Sequence, residues 1–345
     1  MRFGPRLAMV LAVVFGVGIM PSLAAQPAEK SKTTSAPARK AATASPKAKQ
    51  VAPGKRTQKA AADRKTPVAK TSSKNAVALG EAQRLAVRSG AALVVEQGGR
   101  ALYQKNADSV VPIASITKLM TAMVVLDSVP DLNGMVTISD EDVDYLRGSR
   151  SRLHVGATMP RETALLLALM SSENRAAHAL ARHYPGGLTA FVAAMNAKAR
   201  SLGMWNTRFD DPTGLMSSNV STAHDLAKMV VAAHRYPLIR EFSTTPEAEI
   251  EVGGRQLTFR NTNPLVKNVA WDVGLSKTGY IHEAGKCLVM QARVADKPVV
   301  IVLLDSAGKL TRVGDANRIK RWMESAHAVR QLSTHAHSGA AGGQG

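Results

Sequence analysis

Apolar and polar positions change rhythm several times along this chain. Leu93 to Glu96 and Ala101 to Gln104 are short β-rich runs on either side of Gln97-Gly98-Gly99-Arg100, which predicts a hairpin with a glycine turn. A second pair, Cys287 to Val294 and Val299 to Leu304, is joined by Ala295-Asp296-Lys297-Pro298, where the proline suits a turn or a strand start. Between the hairpins, Ser115 to Leu126, Arg161 to Met170, Arg175 to His183, Leu188 to Leu202 and Thr222 to His234 carry helix-like spacing, and Asp315 to Val329 adds a helix near the end. The pattern predicts an α+β domain: an antiparallel sheet assembled from both ends of the chain, flanked by helices, with a largely helical insert.

The first 75 residues follow a different logic. Arg2 and Arg6 precede an apolar run from Leu7 to Met20 and the small-residue stretch Pro21-Ser22-Leu23-Ala24-Ala25, the pattern of a cleaved secretory signal over residues 1–25. The run is shorter than the roughly 20 residues of a membrane-spanning helix. Residues 26–75 hold ten Lys and three Arg against Glu29 and Asp63, a charge of +11 out of +19 for the whole chain. They contain no Phe, Tyr, Trp, Ile, Leu or Met, so they are expected to form a disordered basic linker. In an exported protein such a linker suits adsorption to an anionic wall or membrane surface. Without interleaved aromatics it does not suit nucleic acid. The catalytic domain is expected over residues 76–329 and a disordered polar tail over 330–345. The lone cysteine, Cys287, excludes an internal disulfide.

Three short motifs occur in order: Ser115-Ile116-Thr117-Lys118, Ser172-Glu173-Asn174 and Lys277-Thr278-Gly279. Each alone is weak; Ser-x-x-Lys also occurs as Ser306-Ala307-Gly308-Lys309, read as a solvated turn. Position separates them. Ser115 opens a run from Leu119 to Leu126 that is apolar on every side, as in a buried helix, and Lys118 sits one turn on, sharing its face. A serine needs a base, and no Ser/His/Asp order stands out around Ser115. A buried lysine serves if its pKa falls, which burial and a second cation, Lys277, both promote. Ser172 then relays the proton to the leaving amine, and the Asn174 amide holds a substrate peptide group. Lys277-Thr278-Gly279 reads as a strand along which substrate pairs. There Gly279 permits close approach, Lys277 and Thr278 meet a terminal carboxylate, and the amides of Ser115 and Tyr280 form an oxyanion hole.

The trio is the signature shared by penicillin-binding proteins and class A β-lactamases. From the Leu93 hairpin to about Trp322 the chain resembles the low-molecular-mass penicillin-binding proteins, and among them the D-alanyl-D-alanine endopeptidases of the penicillin-binding protein 7 type. The resemblance is carried by Ala114 to Ala122, Met170 to Ala177, Tyr184-Pro185-Gly186-Gly187, Asn196-Ala197-Lys198, Ser201 to Met204, Pro212-Thr213-Gly214-Leu215, Arg260 to Asn263 and Lys277-Thr278-Gly279. It implies the serine β-lactamase/DD-peptidase-like fold and a penicillin-sensitive acyl-enzyme. Ser115 would be nucleophile and Lys118 base, with Ser172 and Asn174 in the second motif and Lys277 and Thr278 in the third. Peptidoglycan stem peptides would be substrates, β-lactams acylating inhibitors, and no cofactor or metal is implied. A D-alanyl-D-alanine carboxypeptidase, a β-lactamase and a noncatalytic wall-binding protein stay open at this level. A class A β-lactamase would need a deacylating Glu, which Thr207 to Leu215 does not offer. A zinc peptidase would need ligand spacing that His178, His183, His282, Glu283 and Cys287 do not have.

Overall fold

The computed structural model describes residues 85–340 except 97, 129, 130 and 309. The signal and the basic linker lie outside the described residues. The strands are β1 (Ala91–Glu96), β2 (Ala101–Lys105), β3 (Val111–Pro112), β4 (Met135–Thr137), β5 (Thr158–Pro160), β6 (Val220–Ser221), β7 (Glu247–Val252), β8 (Arg255–Arg260), β9 (Asp272–Ile281), β10 (Gly285–Val294) and β11 (Lys297–Ser306). The helices are α1 (Lys118–Ser128), α2 (Arg161–Met170), α3 (Asn174–Arg182), α4 (Gly187–Ser201), α5 (Ala223–Ala233), α6 (Pro237–Thr244) and α7 (Thr311–Ala340).

Five strands form one antiparallel sheet in the order β2-β1-β11-β10-β9, so the first hairpin of the chain is completed by the last strand. Ala91 opposes Leu304 and Glu96 opposes Val299. Side chains alternate across the sheet, and both faces are covered. Leu93, Val289, Val300, Val302 and Leu304 enter the core shared with the helical layer. Ala92, Val94, Leu288, Met290, Ile301 and Leu303 enter a second core with Ala316, Ile319 and Met323 of α7. This explains why β10 and β11 read as continuous apolar runs rather than alternating ones.

The α+β expectation holds, with the sheet built from both chain ends. The turn of the second hairpin is tighter than expected: Ala295 and Asp296 take φ of 48° and 60°, and Pro298 already sits in β11 opposite Arg293. Thr222 is the cap of α5 rather than its first turn, its side chain accepting from Asp225 N at 3.1 Å. The insert also holds helix α6 and the hairpin β7–β8, neither of which the pattern of the sequence predicts. The final helix runs to Ala340, where a disordered tail was expected from residue 330; residues 341–345 lie outside the described residues. Ser306 is no solvated turn. It is buried at the end of β11, 2.7 Å from Ser89 Oγ, and Ser89 Oγ donates to Asp315 in α7. Among the described residues no helix is long and apolar enough to cross a membrane.

Candidate active site

Helix α1 runs through the middle of the helical layer, and every residue from Lys118 to Val125 is buried. Ser115 stands just before it, in a 3-10 turn over Ala114–Thr117, so the α-helix itself begins at Lys118 rather than at the serine. The turn is braced from the 211–219 loop. Thr121 Oγ1 donates to Pro212 O at 2.6 Å, Asn219 Nδ2 to Thr117 Oγ1 at 3.0 Å, and Ile113 N to Asn219 O at 3.1 Å. Ala114 adopts a φ of 48°, and Gly214, at +82°, packs so tightly that a Cβ there would lie 1.9 Å from Ala114 O. Gly279 of β9 closes the other side: a Cβ on it would meet Ile113 O at 2.9 Å and Ser115 N at 3.1 Å. The glycine of the third motif is therefore what lets the edge strand lie against the nucleophile turn.

Lys118 is 1% exposed, and its Nζ lies 2.9 Å from Ser115 Oγ, 2.7 Å from Asn174 Oδ1 and 2.7 Å from Thr213 O. The two carbonyl oxygens can only accept. A neutral amine satisfies both with its two N–H groups and keeps its lone pair for the Ser115 hydroxyl. Burial pulls the Lys118 amine down to about 7, against the opposing attraction of Asp211, Glu173 and Asp144.

Ser172 sits in the break between α2 and α3 with a φ of 63° and accepts from Lys277 Nζ at 2.9 Å. Lys277, also 1% exposed, donates to Thr278 O at 3.1 Å as well. Its amine is held well below the usual lysine range by burial first, then by the charges of Lys118 and Arg312. Asn174 opens α3. Its Oδ1 is committed to Lys118 and one Nδ2 hydrogen to Ser149 Oγ at 2.9 Å, which leaves one N–H for a substrate carbonyl. Thr278 Oγ1 bonds Thr262 Oγ1 at 2.6 Å, while Tyr280 is exposed with Lys286 Nζ 3.8 Å from its ring centre. All eight residues expected at the site thus fall on three adjoining segments: the nucleophile turn with the first residue of α1, the α2–α3 break with the first residue of α3, and the edge strand β9.

The residues 77–308 match the peptidase S11 family, described as D-alanyl-D-alanine carboxypeptidase. The chain belongs to that family. S11 members are serine-type D-Ala-D-Ala peptidases. A D-alanyl-D-alanine endopeptidase of Pseudomonas aeruginosa is 53% identical over 240 residues, which cover 69% of this chain and 77% of the relative. One of Escherichia coli is 47% identical over 261 residues, covering 75% and 83%. The crystal structure of a Streptomyces DD-transpeptidase superposes with a TM-score of 0.64 at 30% identity, covering 69% of this chain and 97% of that one. The shared fold is that of the serine β-lactamases and DD-peptidases.

Sequence reasoning missed three residues that hold these side chains in place. Thr213 supplies the carbonyl that fixes Lys118, Ser149 orients Asn174, and Arg312 donates to Gly279 O at 3.2 Å while adding the third cation. Thr213 lies in one of the strings that carry the resemblance, and the other two lie in no motif. His178 and Cys287, weighed as metal ligands, have other partners: His178 Nδ1 contacts Asp142 Oδ1 at 2.7 Å, and Cys287 Sγ donates to Ala284 O at 3.4 Å.

Proposed function

We propose that this enzyme hydrolyses the D-alanyl cross-link between two peptidoglycan stem peptides. The observation that carries the chemistry is the fully buried Lys118 amine, lowered to about 7 and 2.9 Å from Ser115 Oγ. Neutral Lys118 takes the hydroxyl proton as Oγ bonds to the D-alanyl carbonyl carbon. The N–H groups of Ser115 and Tyr280 hold the resulting oxyanion. Collapse breaks the C–N bond, and the leaving nitrogen receives its proton through Ser172, whose hydroxyl Lys277 contacts. Water then cleaves the ester and restores Ser115. A β-lactam amide acylates the same oxygen, but its leaving nitrogen stays tethered in the site. Asn174 offers its remaining N–H to the substrate, and Lys277 and Thr278 meet a carboxylate on the leaving side.

The family's description names a carboxypeptidase and the two bacterial relatives are named endopeptidases, which favours the cross-link over the terminal bond. Both leaving groups carry a carboxylate for Thr278: D-Ala in one case, the D-centre of diaminopimelate in the other. Incubating the mature enzyme separately with purified cross-linked dimers and with monomeric pentapeptides distinguishes them. Conversion of dimers to monomers is the expected result, and loss of terminal D-Ala with dimers intact makes it a carboxypeptidase. The signal-like residues 1–25 and the basic residues 26–75 support export and attachment to an anionic wall or membrane surface, with no role for nucleic acid.

A further inference from the structure

Arg147 reaches from the loop between β4 and β5 to two segments that flank the nucleophile. Its Nε donates to Leu215 O, and its Nη2 to Glu283 Oε1 at 2.9 Å. Leu215 follows Gly214, the residue packed on Ala114 and Ser115 N. Glu283 lies in the turn joining β9 to β10, just past Tyr280. Arg147 is held from behind as well, because Asp144 Oδ1 accepts from the backbone N–H groups of Leu146 and Arg147 and Asp144 Oδ2 from that of Ser149. Even so, the pair is not closed off from solvent: the Arg147 side chain is 23% exposed and that of Glu283 is 44%.

An ion pair this exposed adds little to folding. Its place at the end of the edge strand says more. If the leaving carboxylate meets Thr278 and the scissile carbonyl meets the Tyr280 N–H, then the acyl half of the substrate continues along β9 toward Ile281 and the turn that carries Glu283. The residue preceding D-Ala in the donor stem is thereby brought to Arg147 and Glu283. In a diaminopimelate stem that residue has a side chain ending in an ammonium and a carboxylate on one carbon. We propose that Arg147 and Glu283 form the subsite for this zwitterionic end, Arg147 taking the carboxylate and Glu283 the ammonium. The inference rests on the D-alanyl peptidase reading and adds its donor specificity. A guanidinium fixed by Leu215 O and by the Asp144 turn is preorganised for a carboxylate.

The test uses synthetic cross-linked dimers with one constant acceptor and a donor whose third residue is diaminopimelate, lysine or Nε-acetyl-lysine. The quantities read are ratios of kcat/KM, which loss of folded protein does not alter. Wild type is expected to prefer diaminopimelate over acetyl-lysine by about a hundredfold. Arg147→Gln should lower the diaminopimelate-to-lysine ratio about tenfold, and Glu283→Gln the lysine-to-acetyl-lysine ratio by a similar factor. If the pair only braces the fold, each single exchange lowers kcat/KM on all three donors by one factor and leaves their ratios at the wild-type values. Equal wild-type kcat/KM on the three donors, or single exchanges that leave the ratios unchanged, overturns the subsite. Acylation by penicillin with no turnover of any dimer overturns the cross-link reading beneath it.

Discussion

Lys118 and Lys277 bring two amines into a site from which water is largely excluded, and neither has a carboxylate within hydrogen-bonding distance. Each is instead tied to a serine, Ser115 in one case and Ser172 in the other. Two ammonium ions this close repel, so proton transfer from Ser115 to Lys118 is easiest when Lys277 is neutral or has a proton already in flight. With Lys118 at about 7, the second-order rate of acylation by a penicillin should climb about tenfold per pH unit below that value and level off above it. Stopped-flow measurement from pH 5 to 9 checks the profile, with Ser115→Ala, which keeps the fold but has no attacking oxygen, as the blank. A flat profile would mean that Lys118 is not the base. A fluorescent adduct on Ser115→Ala would move the nucleophile elsewhere.

The elements around the site depend on backbone contacts that no larger residue permits. Gly214 is the sharpest case, with φ at +82° and its hydrogen facing Ala114 O. Gly214→Ala should cost about 3 kcal/mol, combining left-handed strain with overlap against the nucleophile turn. It should also slow acylation of whatever protein remains folded. Gly156→Ala is the control, since Gly156 has a similar φ of +87° but open space where a Cβ would go, and should cost about 1 kcal/mol. Urea midpoints for both variants give the comparison, and equal losses would show that packing on Ala114 contributes nothing. The same scale explains what was legible in advance. Helix α1 and strands β10 and β11 announce themselves because long apolar runs have few alternatives. Hairpin β7–β8 carried a period-two pattern, Glu247 to Val252, ahead of the turn glycines Gly253 and Gly254, and was obscured by its charged outer face. Strands β3 to β6 have two or three residues each, too few for any period. The motif residues could be found because each triplet is local. Thr213 lies in a string that carries the resemblance, but its contact with Lys118, like those of Ser149 with Asn174 and Arg312 with Gly279, spans a long stretch of sequence that no local pattern marks.

At the scale of the whole molecule, much of the net charge is concentrated in one stretch of the sequence. Residues 26–75 carry +11 of the net +19, and they lie outside the described residues. Deleting them should leave hydrolysis of a small soluble substrate within about twofold of the full chain, while adsorption to whole sacculi falls. Attraction between solvated charges is screened over about 10 Å at 0.1 M salt, so binding by the full chain should also decline as salt rises. A pull-down with sacculi at increasing ionic strength decides it. Binding indifferent to salt, or equal for both forms, would remove electrostatics from the account.

The strand order has a consequence in time. β1 lies between β2 and β11, with Ala91 opposite Leu304, and the nucleophile turn rests on β9, which joins the sheet only through β10. A polypeptide appearing amino end first, at a ribosome or through a membrane pore, therefore presents Ser115 long before Lys277 exists beside Ser172. Until β11 arrives to bridge the first hairpin and β10, the central gap in the sheet stays open and the serine has no completed pocket. In that order of synthesis the reactive hydroxyl acquires its neighbours only when the last strand is in place.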